Sequence, residues 1–402
     1  MDLRAWQVLP ICLLSSAAMA DEALEQRVND LEQEVQVLRE QNQDSAFDRI
    51  SFNGFYSVGI NQANNNLGYA GSTDEYDFNN LTLVGLQGDF ALADSTSVTV
   101  QLVARGEDDF SPDVEWAYLK HTFDNYITVR GGKLRLPMYM YSDYLEVGYA
   151  QPWARPPEEV YGFVPFNSFV GVDGSYDFEF DNSTLTLQGF WGQSEEDGTK
   201  YDDILGANLT WAIDDFTVRA VYGVTKITVA DDNQPDTQVL DDKNKSDFLG
   251  AGFSYDNGSL LVVSEVTRAT VEGGYSDVDS GYLTLGYRFG KAMPYGTVAG
   301  MKTQDDDERV DIFVSNPGYN PTLPEGPTNP SVVPVDSSFI YSGKRTSYSL
   351  GVRYELLSNL AVKFDATLVN GFGDTNGLMA SKVAGATEDS TTVYSIVFDG
   401  VF

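Results

Sequence analysis

The sequence predicts an all-β fold: a 16-stranded antiparallel transmembrane β-barrel over residues 48–402, led in by a short N-terminal α-helical coiled coil. Three observations predict it. The run Thr392–Phe402 puts Tyr394, Ile396, Phe398 and Phe402 on one face of a strand, and Ser395 and Asp399 with Val393, Val397 and Val401 on the other. That partition suits a wall between lipid and water. Seven tight turns punctuate the chain between stretches of alternating polarity. Beyond residue 20, no stretch approaches the roughly 18 consecutive apolar residues of a membrane helix, and the mean hydropathy is −0.25, so a membrane crossing falls to strands. An aromatic content of 13% with 37 Gly fits many short strands bordered by interfacial rings.

Residues 1–20 carry Arg4, an apolar stretch through Leu9, Ile11, Leu13 and Leu14, and Ala18-Met19-Ala20 before Asp21. This is the pattern of a secretory signal cleaved after Ala20. Cys12, the only cysteine, lies inside it, so the remaining chain crosses an oxidising compartment without wrong disulfides. Leu9-Pro10-Ile11 lacks the small residues of a lipoprotein cleavage box.

In residues 21–44, Leu24, Val28, Leu31, Val35 and Leu38 alternate spacings of four and three, which makes the valines a and the leucines d positions of a heptad. Arg27 and Glu34 then occupy g positions, and Glu32 and Arg39 the following e positions, so parallel neighbours pair opposite charges. The alternative is a single amphipathic helix lying on its own barrel. So short a coil is marginal alone, and a trimeric barrel would supply the reason to associate.

The turns lie at Ala91–Ser95, Asp124-Asn125, Asp181–Ser183, Asp214-Asp215, Asp256-Asn257-Gly258, Gly290–Pro294 and Leu357–Asn359. Seven hairpins plus two terminal strands give sixteen, an even number that returns both chain ends to one side and leaves eight longer loops on the other. Alternation then assigns faces. Val218, Ala220, Tyr222 and Val224 point out, with Thr217, Arg219 and Thr225 in; Leu350, Val352 and Tyr354 point out, with Ser349, Arg353 and Glu355 in. Thr128, Arg130, Gln101, Arg105, Arg288, Lys363 and Asp365 also point in. A charge facing the hydrocarbon midplane costs about 2–4 kcal/mol, so the inward placement is the cheaper one.

Acidic clusters at Asp74-Glu75-Asp77, Glu107-Asp108-Asp109, Glu195-Glu196-Asp197, Asp231-Asp232, Asp241-Asp242 and Asp305–Glu308 fall in the longer connections. None has the ligand spacing of a calcium loop, so they read as a solvated acidic rim, with divalent-cation binding as the alternative. The segment Asn316–Pro334 holds six of the fifteen prolines and reads as extended and exposed. Leu134–Pro165 is different: dense in aromatics and prolines, it is too apolar to stand in water. Folded inward it would form a constriction, with Arg135, Asp143, Glu146, Arg155, Glu158 and Glu159 beside Tyr139 and Tyr141. Packed over the barrel mouth or onto a neighbouring subunit, it would not.

Signal, coil, sixteen-strand pattern, long third loop and Phe402 together resemble the trimeric outer-membrane porins of Gram-negative bacteria. The coil with Gly132-Lys133-Leu134-Arg135-Leu136-Pro137 is similar to the broad group of phosphate-selective and dicarboxylate-type porins. Gly400 departs from the bulky residue usual at its place in the closing strand. The resemblance implies a homotrimer embedded in outer-membrane lipid and lipopolysaccharide, with the coil in the periplasm. It further implies passive diffusion of small hydrophilic solutes without cofactor, catalysis or energy coupling. Phosphate-selective porins carry Lys and Arg ladders, whereas this chain has 25 basic residues against 60 acidic ones. The inward Arg105, Arg130, Arg219, Arg288, Arg353 and Lys363 nonetheless predict a narrow part that prefers small anions such as carboxylates.

The net charge of −35 excludes nucleic acid as a partner. His121 is the sole histidine and Leu119-Lys120-His121-Thr122 stands near no serine-centred nucleophile motif, which leaves a catalytic triad or a transition-metal site poorly supplied. The remaining rival is a receptor or adhesin barrel with a closed lumen.

Overall fold

The computed structural model describes residues 49–196, 198–229, 243–273, 276–304, 312–315, 326–327, 329–335 and 341–402, together with Gln33 and Thr322. The chain divides into Met1–Ser51 and Phe52–Phe402. The expected signal (1–20) and coil (21–44) lie outside the described residues apart from Gln33, as do Asp197, the clusters at 231–232, 241–242 and 305–308, and most of 316–334.

The strands are β1 (Ile50–Ala63), β2 (Leu83–Ala93), β3 (Thr96–Arg105), β4 (Pro112–Thr122), β5 (Thr128–Arg135), β6 (Ser168–Phe180), β7 (Ser183–Glu196), β8 (Thr199–Ile213), β9 (Phe216–Val229), β10 (Asn244–Asp256), β11 (Leu260–Val271), β12 (Asp277–Tyr287), β13 (Ala292–Gln304), β14 (Ile312–Ser315), β15 (Val332–Val335), β16 (Lys344–Leu357), β17 (Leu360–Asn370) and β18 (Thr391–Val401). Sixteen close into one antiparallel barrel, while β14 and β15 pair apart from it as a small hairpin inside the connection from β13 to β16. All seven turns fall where residue chemistry places them. At Asp256-Asn257-Gly258, for example, Gly258 takes φ 81°, a conformation open to glycine at no steric cost.

The predicted faces hold. Val218, Tyr222, Leu350, Val352 and Tyr354 are exposed on the outside, and Arg219, Arg353 and Glu355 turn in. Rings at the turn end (Phe123, Tyr126, Phe180, Phe216, Phe289, Tyr354, Phe402) and nearer the loop end (Trp191, Tyr222, Tyr348, Tyr394) stand exposed in two rows, as interfacial girdles require. Closure joins β1 to β18 in the register Tyr56 opposite Gly400, and Gly54 and Phe402 exchange both backbone hydrogen bonds, at 2.8 and 2.9 Å. A Cβ on Gly400 would lie 2.5 Å from the Tyr56 ring, so the absence of a bulky residue there is what lets that ring cross the seam.

Three details differ from the sequence expectation. Glu196 pairs with Thr199, so that outer connection is a two-residue hairpin rather than a long loop. β5 runs on to Arg135, two residues into the stretch expected to be loop. A β-bulge leaves Glu115 unpaired, because Gln101 faces Trp116 and Leu102 faces Val114. Simple alternation would send Glu115 outward; the bulge turns its carboxylate into the barrel.

Candidate functional site

The connection between β5 and β6 folds into the barrel because its apolar side chains find cover there. Trp153, Val160 and Leu134 are almost fully buried. The Trp153 indole N–H donates to the hydroxyls of Thr284 on β12 and Thr297 on β13, at 2.9 and 3.1 Å, and its ring lies between those of Tyr141 and Tyr282 at 5.2 and 5.5 Å. A buried tryptophan with its one donor satisfied is a strong fixed point. Burial raises the Tyr141 and Tyr161 hydroxyls above the ordinary tyrosine value, so both remain neutral.

Charges fasten the loop to the wall strands. Glu159, in the short helix α1 (Glu158–Tyr161), accepts from Arg345 Nε at 3.0 Å, Ser347 Oγ at 2.8 Å and Tyr69 at 3.1 Å. On β17, which neighbours the strand of Arg345 and Ser347, Lys363 Nζ donates to the carbonyls of Gly148 and Trp153, each at 2.7 Å, and pairs with Asp399 at 2.8 Å. Asp399 in turn accepts from Ser57 on β1 at 2.5 Å. Glu265 on β11 accepts from Met140 N at 2.8 Å, Tyr282 at 2.9 Å and Tyr161. Each buried charge has partners, and removing one partner of such a set costs about 3–5 kcal/mol.

Among the residues expected at the constriction, Arg105 binds Glu115 and Glu146 at 2.5 and 2.9 Å, and Arg135 binds Glu115 and the Ser142 carbonyl. Arg130 clasps Asp173 with two nitrogens and stands 5.3 Å from the Tyr118 ring centre. Arg288 holds Asp256 at 2.6 and 2.8 Å. Arg353 binds Glu355 at 2.7 Å and the Gln151 carbonyl at 2.8 Å, and Lys363 is fully buried. Thus six of the basic groups already have carboxylates. Arg155 donates to Asn80 at 2.9 Å, and Arg219 to the Pro137 carbonyl at 2.7 Å and Thr210 at 3.3 Å; among the described residues neither forms an ion pair. Asp143 is exposed at the loop surface, where its charge acts on Arg130 and Arg219. Sequence reasoning did not single out Glu115, Asp173, Glu265 or Arg345, since pairing across strands leaves no local pattern.

Two polar cavities flank the loop. The larger, about 890 Å³, lies against β1, β3, β16 and β18 and is lined by Arg105, Glu107, Arg155, Glu158, Arg345 and Asp399 among others. The second, about 280 Å³, lies toward the turns among Tyr149, Asp256, Arg288, Lys291, Arg353 and Glu355. His121 stands apart, its Nδ1 2.8 Å from the Thr96 hydroxyl and its ring 4.6 Å from that of Phe123.

No family model matches the chain, and no curated protein matches it. Solved structures do. OmpT of Vibrio cholerae lacking loop L8, described as an outer membrane protein, has TM-score 0.54 at 15% identity, covering 88% of this chain and 99% of that one. An anion-selective porin from Comamonas acidovorans has 0.55 at 12%, covering 88% and 99%. Salmonella typhi OmpF in complex with daunomycin has 0.55 at 13%, covering 87% and 97%. At this identity the likeness establishes the fold: the chain is a closed sixteen-stranded barrel similar in architecture to outer-membrane porins.

Proposed function

We propose that this protein is a porin of the Gram-negative outer membrane, a water-filled channel for passive diffusion of small hydrophilic solutes. The observation that carries the reading is the polar cavity of about 890 Å³ left between the inward loop and the barrel wall. A binding barrel with a closed lumen has no need of a charged, solvent-wide passage beside a pinned loop. The assembly is a homotrimer in outer-membrane lipid and lipopolysaccharide, with residues 21–44 as a periplasmic coiled-coil segment and residues 134–165 as the constriction. Diffusion involves no cofactor and no catalytic step.

The passage prefers small anions such as carboxylates, and the local charge for this comes from Arg155 and Arg219, whose guanidinium groups lack carboxylate partners among the described residues. The test is conductance in a planar lipid bilayer under a salt gradient. Steps should arrive in threes, and Arg155→Ala with Arg219→Ala should move the reversal potential toward cations, whereas Arg130→Ala should move it less because Asp173 is released at the same time. A folded, inserted barrel that gives no steps is the closed receptor or adhesin instead.

A further inference from the structure

A third cavity has the opposite character. It lies toward the loop ends of β7 to β12, between their inward faces and the two limbs of the inward loop, with a volume of about 420 Å³. Its walls include Met138, Phe166, Phe190, Ile204, Phe248 and Val278. The Phe166 and Tyr201 ring centres lie 4.1 Å apart, their planes tilted by 33°, and form one side. Among the described residues the one carboxylate bordering it, Asp247, accepts the Tyr222 hydroxyl at 2.6 Å on the outer face of the barrel, so its charge is not aimed inward. The polar groups at its edge are hydroxyls: Thr199, Thr225, Ser246 and Ser276.

An apolar lining is the reverse of what a water-filled lumen dictates, where inward positions are polar. A pocket of about 150 Å³ lined by aliphatic and aromatic side chains suffices for benzene. The volume here is nearly three times that, within the range of small-molecule sites. The geometry points to a binding site for an uncharged aromatic or short aliphatic molecule of up to two fused rings, with at most one hydroxyl or carbonyl, which reaches the rim hydroxyls. Leu378 borders both this pocket and the large polar cavity, so the two lie side by side.

Gly223 supplies the test. It faces the pocket, and a Cβ there would meet Met138 at 3.6 Å, an ordinary contact, so Gly223→Leu fills the space without forcing the backbone. Full-length protein in lipid nanodiscs is titrated with 1-naphthol, with empty nanodiscs as the partition baseline. The expected result is saturable binding of one 1-naphthol per chain, at least tenfold weaker in Gly223→Leu and at least tenfold weaker for 1-naphthalenesulfonate, which carries an anionic group on the same ring system. Bilayer conductance of the variant should match the original chain, which separates pocket filling from misfolding; if Gly223→Leu does not insert, Ala269→Leu fills the same pocket. Equal affinity in original and filled proteins overturns the proposal. So does equal binding of the neutral and anionic probes, or naphthol uptake no greater than that of empty nanodiscs.

Discussion

Glu115 sits between two guanidinium groups, and its removal leaves Arg105 with Glu146 alone and strands Arg135. Arg135 is only 4% exposed and would keep just the Ser142 carbonyl and a distant Glu146 at 3.6 Å. Glu115→Ala should therefore cost about 3–5 kcal/mol, read as a lower urea midpoint of the refolded protein; an unchanged midpoint refutes the role given to this cluster. Glu107 offers a charge test at the same mouth. Burial first, and then the neighbouring Asp108, raise its carboxyl above the usual glutamate range, so it takes up a proton while exposed carboxylates are still ionised. As pH falls through that raised value, the passage loses one negative charge and anions should permeate relatively better. Glu107→Gln, neutral throughout, should flatten the part of the reversal-potential shift that sets in as pH falls and before exposed carboxylates titrate. Residues obeying strict alternation, such as Arg130, Arg219 and Arg353, were legible in the sequence because the period of a strand is two. Glu115 was not, because a bulge changes the parity of the strand without any composition signal of its own.

The inward loop is the element on which function turns. Its density of aromatic residues already required cover, but nothing in the string Leu134–Pro165 says which wall strands receive it. The receiving groups, Thr284, Thr297, Ser347 and Lys363, come from strands far along the chain. Trp153→Ala removes a packed ring and should weaken seating of the loop by about 3–5 kcal/mol, visible as larger and noisier conductance steps and as new protease cleavage between residues 134 and 165. Trp153→Phe, which loses the indole donor and part of the ring but keeps an aromatic in place, should cost less, about 1–3 kcal/mol, and leave the conductance nearer its original value. Step heights that stay the same in the alanine variant would show that the loop does not limit the passage. The two-residue connection after Glu196 was hidden for another reason. Asp197-Gly198 is a standard hairpin dipeptide, but the neighbouring acids Glu195 and Glu196 drew it into a rim of solvated loops.

At the scale of the whole molecule, a closed barrel has no free strand edge, so unfolding must break its closure. The folded protein should run differently on a gel with and without boiling, and identical migration would refute the barrel. Strand number, turns and faces were readable because each follows from local chemistry repeated sixteen times. The anchoring of the loop was not, because it depends on who meets whom once the cylinder is complete. The same dependence ties the loop to the closure of the cylinder. Asp399 on β18 holds Lys363 on β17 from one side and Ser57 on β1 from the other, so one carboxylate joins the loop's anchor to the closing pair of strands. The ammonium group that grips the carbonyls of Gly148 and Trp153 thus shares its counter-ion with the seam. A change that loosens the join between the last strand and the first should therefore also be felt as a looser partition inside the lumen.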